Sequence, residues 1–581
     1  MSMAFETFPT HRLPGPLATA VNRFLRIDQL EDLYQRTRGA GFVRDLLEAL
    51  DVKVNISPAD LVKIPASGAC VAVANHPFGI LDGVMLADLL SGVRPDVKIL
   101  TNDLLGAIPE LAERCIFVDT LGKTPNSRGV RQSLTHLRAG GMLLIFPAGE
   151  VSHFQLKQGA IRDPEWSRTA ARLIRITGAK SLPILIRGAN GIPFQMLGMV
   201  HPRLRTAALP VEMLNKRGKR VEVRIGNAID AASIEAIPDD AEAVAFLRLR
   251  TELLARRALE GGVSAPKFAA IGAAASGDSL AREIAVLPPD ALLEEARELS
   301  VYLSDARSIP MVLEEIGRLR EVTFRAAGEG TGKPGDLDRF DAHYLHLFVW
   351  SKERREVVGA YRMGNVQSIV AQMGRKGLYT DSLFKFSPRF LSQLGPALEL
   401  GRSFVRPEYQ KQFAPLLLLW KGIGAYVARR PEYSTLIGAV SVSNEYSPAS
   451  RELIARYFEK QCVTDEWRGA VKARRPLRGN LLQKWETEAL CSLLPDVEDL
   501  SAPIADLESD GKGLPVLVRQ YVKLGGKLLA FSVDPQFNNA MDGFVMVDLT
   551  RTNPGMLARY MGKERSQDFL DWRRIPRPLV A

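Results

Sequence analysis

Between Cys70 and Ile225 short apolar runs alternate with stretches of helical periodicity, and this alternation restricts what the chain can fold into more than any other feature. Cys70–Ala74, Val97–Leu100, Cys115–Val118, Met142–Phe146, Ser181–Ile186 and Val221–Ile225 read as strands, with helices over Gly83–Leu90, Arg128–Leu137 and Trp166–Thr177. Strands separated by helices form a largely parallel sheet, so the pattern predicts an α/β domain. An amphipathic helix over Leu17–Tyr34, carrying Arg23 and Arg26, precedes it and either packs on the domain or lies on a membrane.

The pattern breaks at Gly261–Asp278, where GGVSAPKFAAIGAAASGD has the small-residue composition of a linker. Beyond it, helices are expected over Leu292–Leu303, Ile309–Arg320 and Leu416–Val427. Strands are expected over Leu345–Trp350, Val357–Met363, Leu398–Val405 and Leu436–Val442. That is an α+β pattern without a solenoid repeat. A chain of 581 residues exceeds the size of one growing core. The expected division is a first domain over 1–260, a linker over 261–290 and a second domain over 291–581.

A hydrophobic share of 46% and a charged share of 24% fit globular domains rather than disorder. The net charge of +10 favours acidic partners such as anionic lipid headgroups, an acidic carrier protein or nucleic acid, without choosing among them. Cys70, Cys115, Cys462 and Cys491 form no metal-binding or disulfide pattern, so no metal site is expected. The N-terminal sequence carries neither a secretory nor a transit pattern. The apolar stretch Ala414–Ala428 is too short to span a bilayer, so the expected location is the cytoplasm, peripheral on the inner face of the cytoplasmic membrane. The segment IPFQMLGMVHPRLRT, Ile192–Thr206, reads equally as an interfacial loop beside lipid or as a buried connection.

ACVAVANHPFGILDG runs from a strand through a turn into a helix, placing Asn75, His76 and Asp82 at the carboxyl end of the strand, where α/β sheets keep reactive groups. A histidine held by an aspartate through one ring nitrogen can take a proton from a hydroxyl with the other. The same residues also serve as a capping histidine and a helix N-cap. The blocks RCIFVDT (Arg114–Thr120), LIFPAGEVS (Leu144–Ser152) and LPILIRG (Leu182–Gly188) follow, and with the first they resemble, in order and spacing, the four motifs of the glycerolipid acyltransferases.

That resemblance covers roughly Ile56–Ile229. It implies His76 as general base, Asp82 as the residue that orients it, and acceptor contacts from Asn75, Gly149 and Glu150. Three departures stand out. Five residues separate His76 from Asp82 where the family has four, a difference Gly79 can absorb. Thr120 and Val151 stand where the family carries the arginines that grip an acceptor phosphate, which points to an acceptor without one. Arg128 or Arg131 would be substitutes, though each also reads as a solvated helix charge.

In the second half, GRLREVTFRAAGEGTG, DLDRFDAHY, VVGAYRM and LELGRSFVRPEYQ bring Arg320 and Phe324, Asp338 and Asp341, Arg362, then Glu399 and Arg402 in order. The set resembles the acyl-homoserine-lactone synthases and, more closely, the ornithine N-acyltransferases of bacterial aminolipid synthesis, both of the acetyltransferase-like (GNAT) superfamily. A tryptophan that lactone synthases keep after the phenylalanine is missing here. An ammonium nucleophile must lose a proton before attacking a thioester, so Glu399 is the candidate base. Asp338 and Asp341 are candidates to hold the amino acid, with Arg320 and Phe324 beside them, while Arg362 or Arg402 meets its carboxylate or fixes the acidic pair. A purely structural ion-pair network is the alternative.

Both resemblances in one chain imply a bifunctional aminolipid synthase: an α/β glycerolipid acyltransferase-like domain followed by an α+β GNAT domain. Such an enzyme N-acylates an amino acid, ornithine first among the candidates, with a 3-hydroxyacyl group and then O-acylates that hydroxyl. No cofactor is implied beyond an acyl-carrier-protein or coenzyme A thioester as donor. The expected partners are acyl carrier protein, the substrates and a membrane surface. The alternatives are a lysophosphatidic acid acyltransferase with an inactive second half, or a basic membrane- or nucleic-acid-binding protein with degenerate motifs. Dispersed basic residues argue against nucleic acid as a partner.

Overall fold

The computed structural model describes residues 22–574 apart from 24, 103–107, 119–126, 157–158, 258–267, 462–465, 480, 483–490 and 495. The chain divides into two compact units. One takes Met1–Arg257 with Glu488–Pro495 and Ala502–Lys512, and the other Ala258–Thr487 with Asp496–Ser501 and Gly513–Ala581.

The first unit contains β1 (Lys53–Asn55), β2 (Cys70–Ala74), β3 (Val97–Asn102), β4 (Cys115–Val118), β5 (Met142–Ile145), β6 (His153–Gln155), β7 (Ala160–Arg162), β8 (Lys180–Ile186) and β9 (Arg220–Ile225). Seven form one sheet in the order β1-β9-β8-β2-β5-β3-β4, while β6 and β7 make a separate hairpin. Every neighbouring pair in the large sheet is parallel except β8 with β9. The central strand β2 is buried throughout, which is why its sequence is an uninterrupted apolar run. Burial also pushes the Cys70 thiol up to about 12 and the Cys115 thiol up to about 11, leaving both as inert core groups.

The early amphipathic helix occupies Ile27–Thr37, with Leu30 and Leu33 in the core of this unit, so its apolar face is spent on packing; Leu17–Val21 lie outside the described residues. Ile192–Thr206 is helical where one reading expects a loop, and its exposed Ile192, Met196, Met199 and Val200 exclude the buried connection of the other. It makes a helix over Ile192–Val200 and the start of another over Pro202–Leu214, with Pro193 and Pro202 at helix starts, where a missing N–H costs nothing. From far along the chain, Asp506 enters this unit, with its carboxylate 2.6 Å from Arg250 and accepting from the backbone N–H of Asn227 at 2.7 Å.

The second unit contains β10 (Leu292–Ala296), β11 (Leu299–Asp305), β12 (Leu345–Ser351), β13 (Glu356–Asn365), β14 (Phe384–Phe386), β15 (Ala397–Val405), β16 (Thr435–Val442), β17 (Val471–Ala473), β18 (Lys527–Asp534) and β19 (Ala540–Asp548). Eight of them form a sheet in the order β10-β11-β12-β13-β15-β16-β19-β18, and β14 pairs with β17. All pairs in the large sheet are antiparallel except β15 with β16, which run parallel from Ala397↔Thr435 to Leu400↔Gly438 and then part. The long helix Pro310–Ala326 buries Val312, Ile316 and Leu319 against Phe348, Ala360 and Phe404 of the sheet.

One expected helix is a hairpin instead. Leu292–Leu303 folds as β10 and β11, turning at Arg297, which takes a left-handed conformation with φ 56. The acidic LLEEARE stretch has helical propensity, but Leu299, Val301 and Leu303 gain more by pairing with β12 and alternating into the sheet.

Candidate active sites

In the first unit the chain leaves β2 at Ala74 and turns through Asn75–Gly79 into the helix Ile80–Ser91. His76 Nδ1 lies 2.9 Å from Asp82 Oδ2, so the longer spacing does not prevent the pairing. Gly79 makes it possible, because its φ of 88 is open to glycine and an added Cβ would lie 2.7 Å from Leu209. The same Asp82 oxygen accepts the backbone N–H groups of Phe78 at 2.8 Å and Gly79 at 2.9 Å, so the turn and the imidazole converge on one fully buried carboxylate. Burial pushes the Asp82 carboxyl up, and its bond to His76 works against that rise. The imidazole stacks on Phe146 with centroids 4.2 Å apart and keeps 18% of its side chain exposed. With Nδ1 engaged by Asp82, Nε2 is the nitrogen left to take a hydroxyl proton.

Asn75 uses its amide on the fold. Its Nδ2 donates to the Ile186 carbonyl at 2.9 Å and its Oδ1 accepts the Ile186 N–H at 2.7 Å, fastening the end of β2 to β8. Gly149, with φ 67, shapes the turn after β5. Glu150 pairs at 2.5 Å with Arg205 of the helix Pro202–Leu214. Val151 is buried against Phe194 and Ala208, so an apolar side chain fills the place of the family's arginine. Arg128 and Arg131 are exposed on their helix and Thr120 lies outside the described residues.

Sequence reading missed two groups here. Asp163 accepts from the His76 backbone N–H at 3.2 Å and from Trp166 Nε1 at 2.9 Å, and it also bonds the Ser152 hydroxyl. The Ser152 N–H in turn donates to the His76 carbonyl at 2.8 Å, so the turn carrying Glu150 is fixed to the histidine backbone. Arg205 is the second, and nothing in its local sequence marks it.

In the second unit six charged groups interlock. Arg320 meets Asp341 at 2.8 Å, Arg362 meets Asp338 at 2.6 Å and Asp341 at 3.2 Å, and Arg402 meets Asp336 at 2.9 Å. Three guanidinium groups thus face three carboxylates, a balance that buried charge requires. Burial pushes the Asp341 carboxyl up, yet Arg320 and Arg362 outweigh it and hold the group well below the usual carboxylate range. Both Arg362 and Arg402 therefore fix the acidic group, and Asp341 has no free side for an amine. Phe324 packs edge-on against Phe537 at 5.0 Å, and Arg402 lies over the Phe537 ring at 4.8 Å. Asp336 was missed although it stands in the same DLDRFD run.

Arg402 reaches this group from an unusual backbone. Two residues, Arg402 and Ser403, oppose Tyr361 alone where β15 pairs with β13, and Arg402 has φ 49. The bulge re-aims its side chain, a device common beside active sites. Three residues earlier Glu399, almost fully buried, accepts the backbone N–H groups of Thr380 at 2.6 Å and Tyr379 at 3.2 Å and bonds the Tyr344 hydroxyl. A fixed carboxylate at the point where β15 and β16 part can receive a proton from an amine held in that opening.

Comparison with known proteins identifies a domain around each constellation. Residues 35–262 match the family model described as acyltransferase, and residues 319–421 match that of the acetyltransferase (GNAT) domain. A glycine N(alpha)-acyltransferase of Phocaeicola vulgatus is 33% identical over 245 residues, 40% of this chain and 73% of that protein. A lyso-glycine lipid O-acyltransferase of the same organism is 30% identical over 218 residues, 36% of this chain and 76% of that protein. An L-ornithine N(alpha)-acyltransferase of Brucella abortus is 26% identical over 286 residues, 46% of this chain and 91% of that protein. The chain belongs to the family of these amino-acid N(alpha)-acyltransferases and lyso-lipid O-acyltransferases, and is an acyltransferase carrying both kinds of domain in one polypeptide.

Proposed function

We propose that the second unit N-acylates an amino acid, ornithine first among the candidates, with a 3-hydroxyacyl group, and that the first unit O-acylates the hydroxyl so delivered. The product is a phosphorus-free aminolipid. The observation that carries this reading is the pairing of two sites of different chemistry in one chain: a His76–Asp82 dyad suited to a hydroxyl, and a Glu399 centre suited to an amine.

In the first step Glu399 takes the proton of the acceptor ammonium, directly or through Tyr344, and the amine nitrogen attacks the thioester carbonyl. An amide forms, the carbon–sulfur bond breaks, and the departing sulfur takes the second proton lost by the nitrogen and leaves as the thiol. In the second step His76 Nε2 takes the hydroxyl proton as oxygen attacks a second thioester, an ester forms, and the imidazolium returns its proton to the departing sulfur. An apolar, buried Val151 in place of an arginine suits an acceptor headed by an amino acid rather than a phosphate. Acyl carrier protein is the donor we favour, its pantetheine arm entering where β15 and β16 part beyond Leu400 and Gly438.

We assign the protein to the cytoplasmic face of the membrane as a peripheral protein. No described helix is long and apolar enough to cross a bilayer. The helix Ile192–Val200 nevertheless exposes Ile192, Met196, Met199 and Val200, and Leu204, Phe154, Leu156 and Ile161 are exposed on the adjoining helix and hairpin. The stretches 153–162 and 192–206 contain no acidic residue, but Arg162 and Arg205 are taken up by Glu252 and Glu150, so it is the apolar side chains that suit a membrane surface.

Expression in a host without aminolipids, followed by mass spectrometry of the lipid extract, tests the reading. A di-acylated amino acid lipid should appear. Esterification of lysophosphatidic acid at a higher rate than of the mono-acylated aminolipid would refute the assignment of the first unit.

A further inference from the structure

The second unit buries more acid than its active-site arginines neutralise. Arg320, Arg362 and Arg402 are matched by Asp336, Asp338 and Asp341. Beside them lies a further set of carboxylates, Glu329, Asp534 and Asp542, all buried. Asp542 stands directly opposite Ser441 of β16 on one side and Ser532 of β18 on the other, so the three side chains share one face of the sheet. Asp534, two residues beyond Ser532, is the diagonal neighbour of Asp542 on that face, roughly 7–8 Å away by strand geometry. Glu329, at the end of the turn after the helix Pro310–Ala326, bonds the Ser441 hydroxyl.

Ser441 lies on β16 past Gly438, beyond the last residue that pairs with β15, and so borders the opening that Arg402 borders from the other strand. The set is therefore continuous with the Glu399 centre.

Arg402 and Arg451 act on this set only at a distance, and Asp542 has no direct ion pair. Asp542 is 4% exposed, its Oδ2 has no hydrogen-bond partner, and no cation among the described residues stands within ion-pair distance of it. Arg402 is committed to Asp336 and the Tyr379 hydroxyl. Arg451, the other cation nearby, donates to Asn444 Oδ1 and the Asn539 carbonyl and acts on Asp542 only from beyond ion-pair distance. An unpaired buried carboxylate costs free energy that a polar network ordinarily avoids. Burial accordingly pushes the Glu329 carboxyl up to about 7, and burial with Asp534 and Glu329 as neighbours raises Asp542 well above its ordinary range.

We propose that Asp542, with Glu329 and Asp534 beside it, receives the side-chain ammonium of a cationic amino acid, so that the second unit selects a diamino acid over glycine. This rests on the amino-acid N-acyltransferase reading of that unit and names its substrate class. An ammonium brings three N–H donors and one positive charge, which supply the missing partner of Asp542 Oδ2 and offset the excess of carboxylates. Glycine brings neither, and would leave the acids unpaired in the bound complex.

The test compares acceptors on the full chain with a 3-hydroxyacyl thioester as donor. Ornithine and norvaline have the same chain length and differ by the terminal amine. Wild-type protein should favour ornithine over norvaline, and over glycine, by tenfold or more in kcat/KM. Asp542→Asn should lower the ornithine-to-norvaline ratio by tenfold or more, and Glu329→Gln should lower it in the same direction if the first variant fails to fold. Equal use of ornithine and norvaline by the parent, preference for glycine, or an unmoved ratio in a folded variant would overturn the proposal alone. Absence of N-acylation with every amino acid would overturn it together with the reading on which it rests.

Discussion

The two sites solve opposite problems with charge. In the first unit one buried carboxylate, Asp82, holds the ring of a histidine that stays partly open, while Asp163 holds its backbone, and the ring's surroundings are apolar: Phe146 under it, Val151 and Leu209 beside the turn. In the second, three arginines and three aspartates are locked together away from water before any substrate arrives. The first is proposed to move a proton, and its frame is a few hydrogen bonds to the histidine backbone. The second is mostly frame, with Glu399 as its reactive edge. A substitution at the first should therefore show in rate, and one at the second in stability, with Glu399 the exception that separates the two.

The largest effect is expected at His76. Replacing it with alanine removes the nitrogen proposed to take the hydroxyl proton and leaves buried Asp82 with only the Phe78 and Gly79 N–H donors. O-acylation should fall on the order of a hundredfold to ten-thousandfold. With amine acylation assigned by the proposal to Glu399 in the other unit, the mono-acylated aminolipid should accumulate, which quantitative mass spectrometry reads directly. Di-acylated product at the parental rate would end the comparison at its first term.

Arg320→Met comes next and tests the frame. The guanidinium is fully buried between Asp341 and the Asp336 carbonyl, and removing one partner of a buried pair leaves uncompensated charge. Because Asp341 keeps Arg362 at 3.2 Å, the loss should be about 3 kcal/mol, the lower end for such changes, measured as a drop in thermal unfolding temperature. Acid sharpens the test. Asp341 is a carboxyl held below its usual range, so its stabilisation is complete above the unfolded value near pH 4 and is lost as pH falls through the folded value. Parent and variant unfolding curves should therefore converge as pH drops below about 4.

Glu399→Gln should then behave unlike its neighbours in the frame. Glutamine keeps one oxygen for the Thr380 N–H and can donate from its amide nitrogen to the Tyr344 hydroxyl oxygen, so the fold should hold at the loss of the Tyr379 bond, while the proposed base is gone. N-acylation should fall on the order of a hundredfold while O-acylation of supplied mono-acylated lipid continues. Equal loss of both activities would mean that one centre serves both reactions.

The same contrast explains what could be read from the sequence. The dyad sits within a seven-residue stretch, and the strands around it are short apolar runs, so β2 and β4 appear at their structural boundaries. Arg320, Asp338, Asp341, Arg362, Glu399 and Arg402 were legible as an ordered set, though their pairing was not: which arginine meets which aspartate depends on register and on the bulge at Arg402. Asp163, Arg205, Asp506 and Asp542 were hidden because each acts across tens or hundreds of residues with no local spacing to betray it. The hairpin at Leu292–Asp305 was misread because helical propensity in the acidic stretch gave way to pairing with β12.

The smallest effect expected lies at Asn75, where frame and chemistry touch in the first unit. Its amide makes two hydrogen bonds to Ile186, and no other polar side chain joins the end of β2 to β8 among the described residues. Alanine there should leave two backbone groups of Ile186 seeking partners at the edge of the site, at a cost of about 1–2 kcal/mol. The strand end should loosen while the Asp82 contact to His76, made through the following turn, remains. The predicted signature is a modest fall in unfolding temperature with O-acylation reduced severalfold in kcat/KM, and an unchanged ratio between acceptor lipids. A change in acceptor preference would instead place the Asn75 amide against substrate, as the sequence resemblance implies, and the first site would then have more built structure around its histidine than the two strand-end hydrogen bonds indicate.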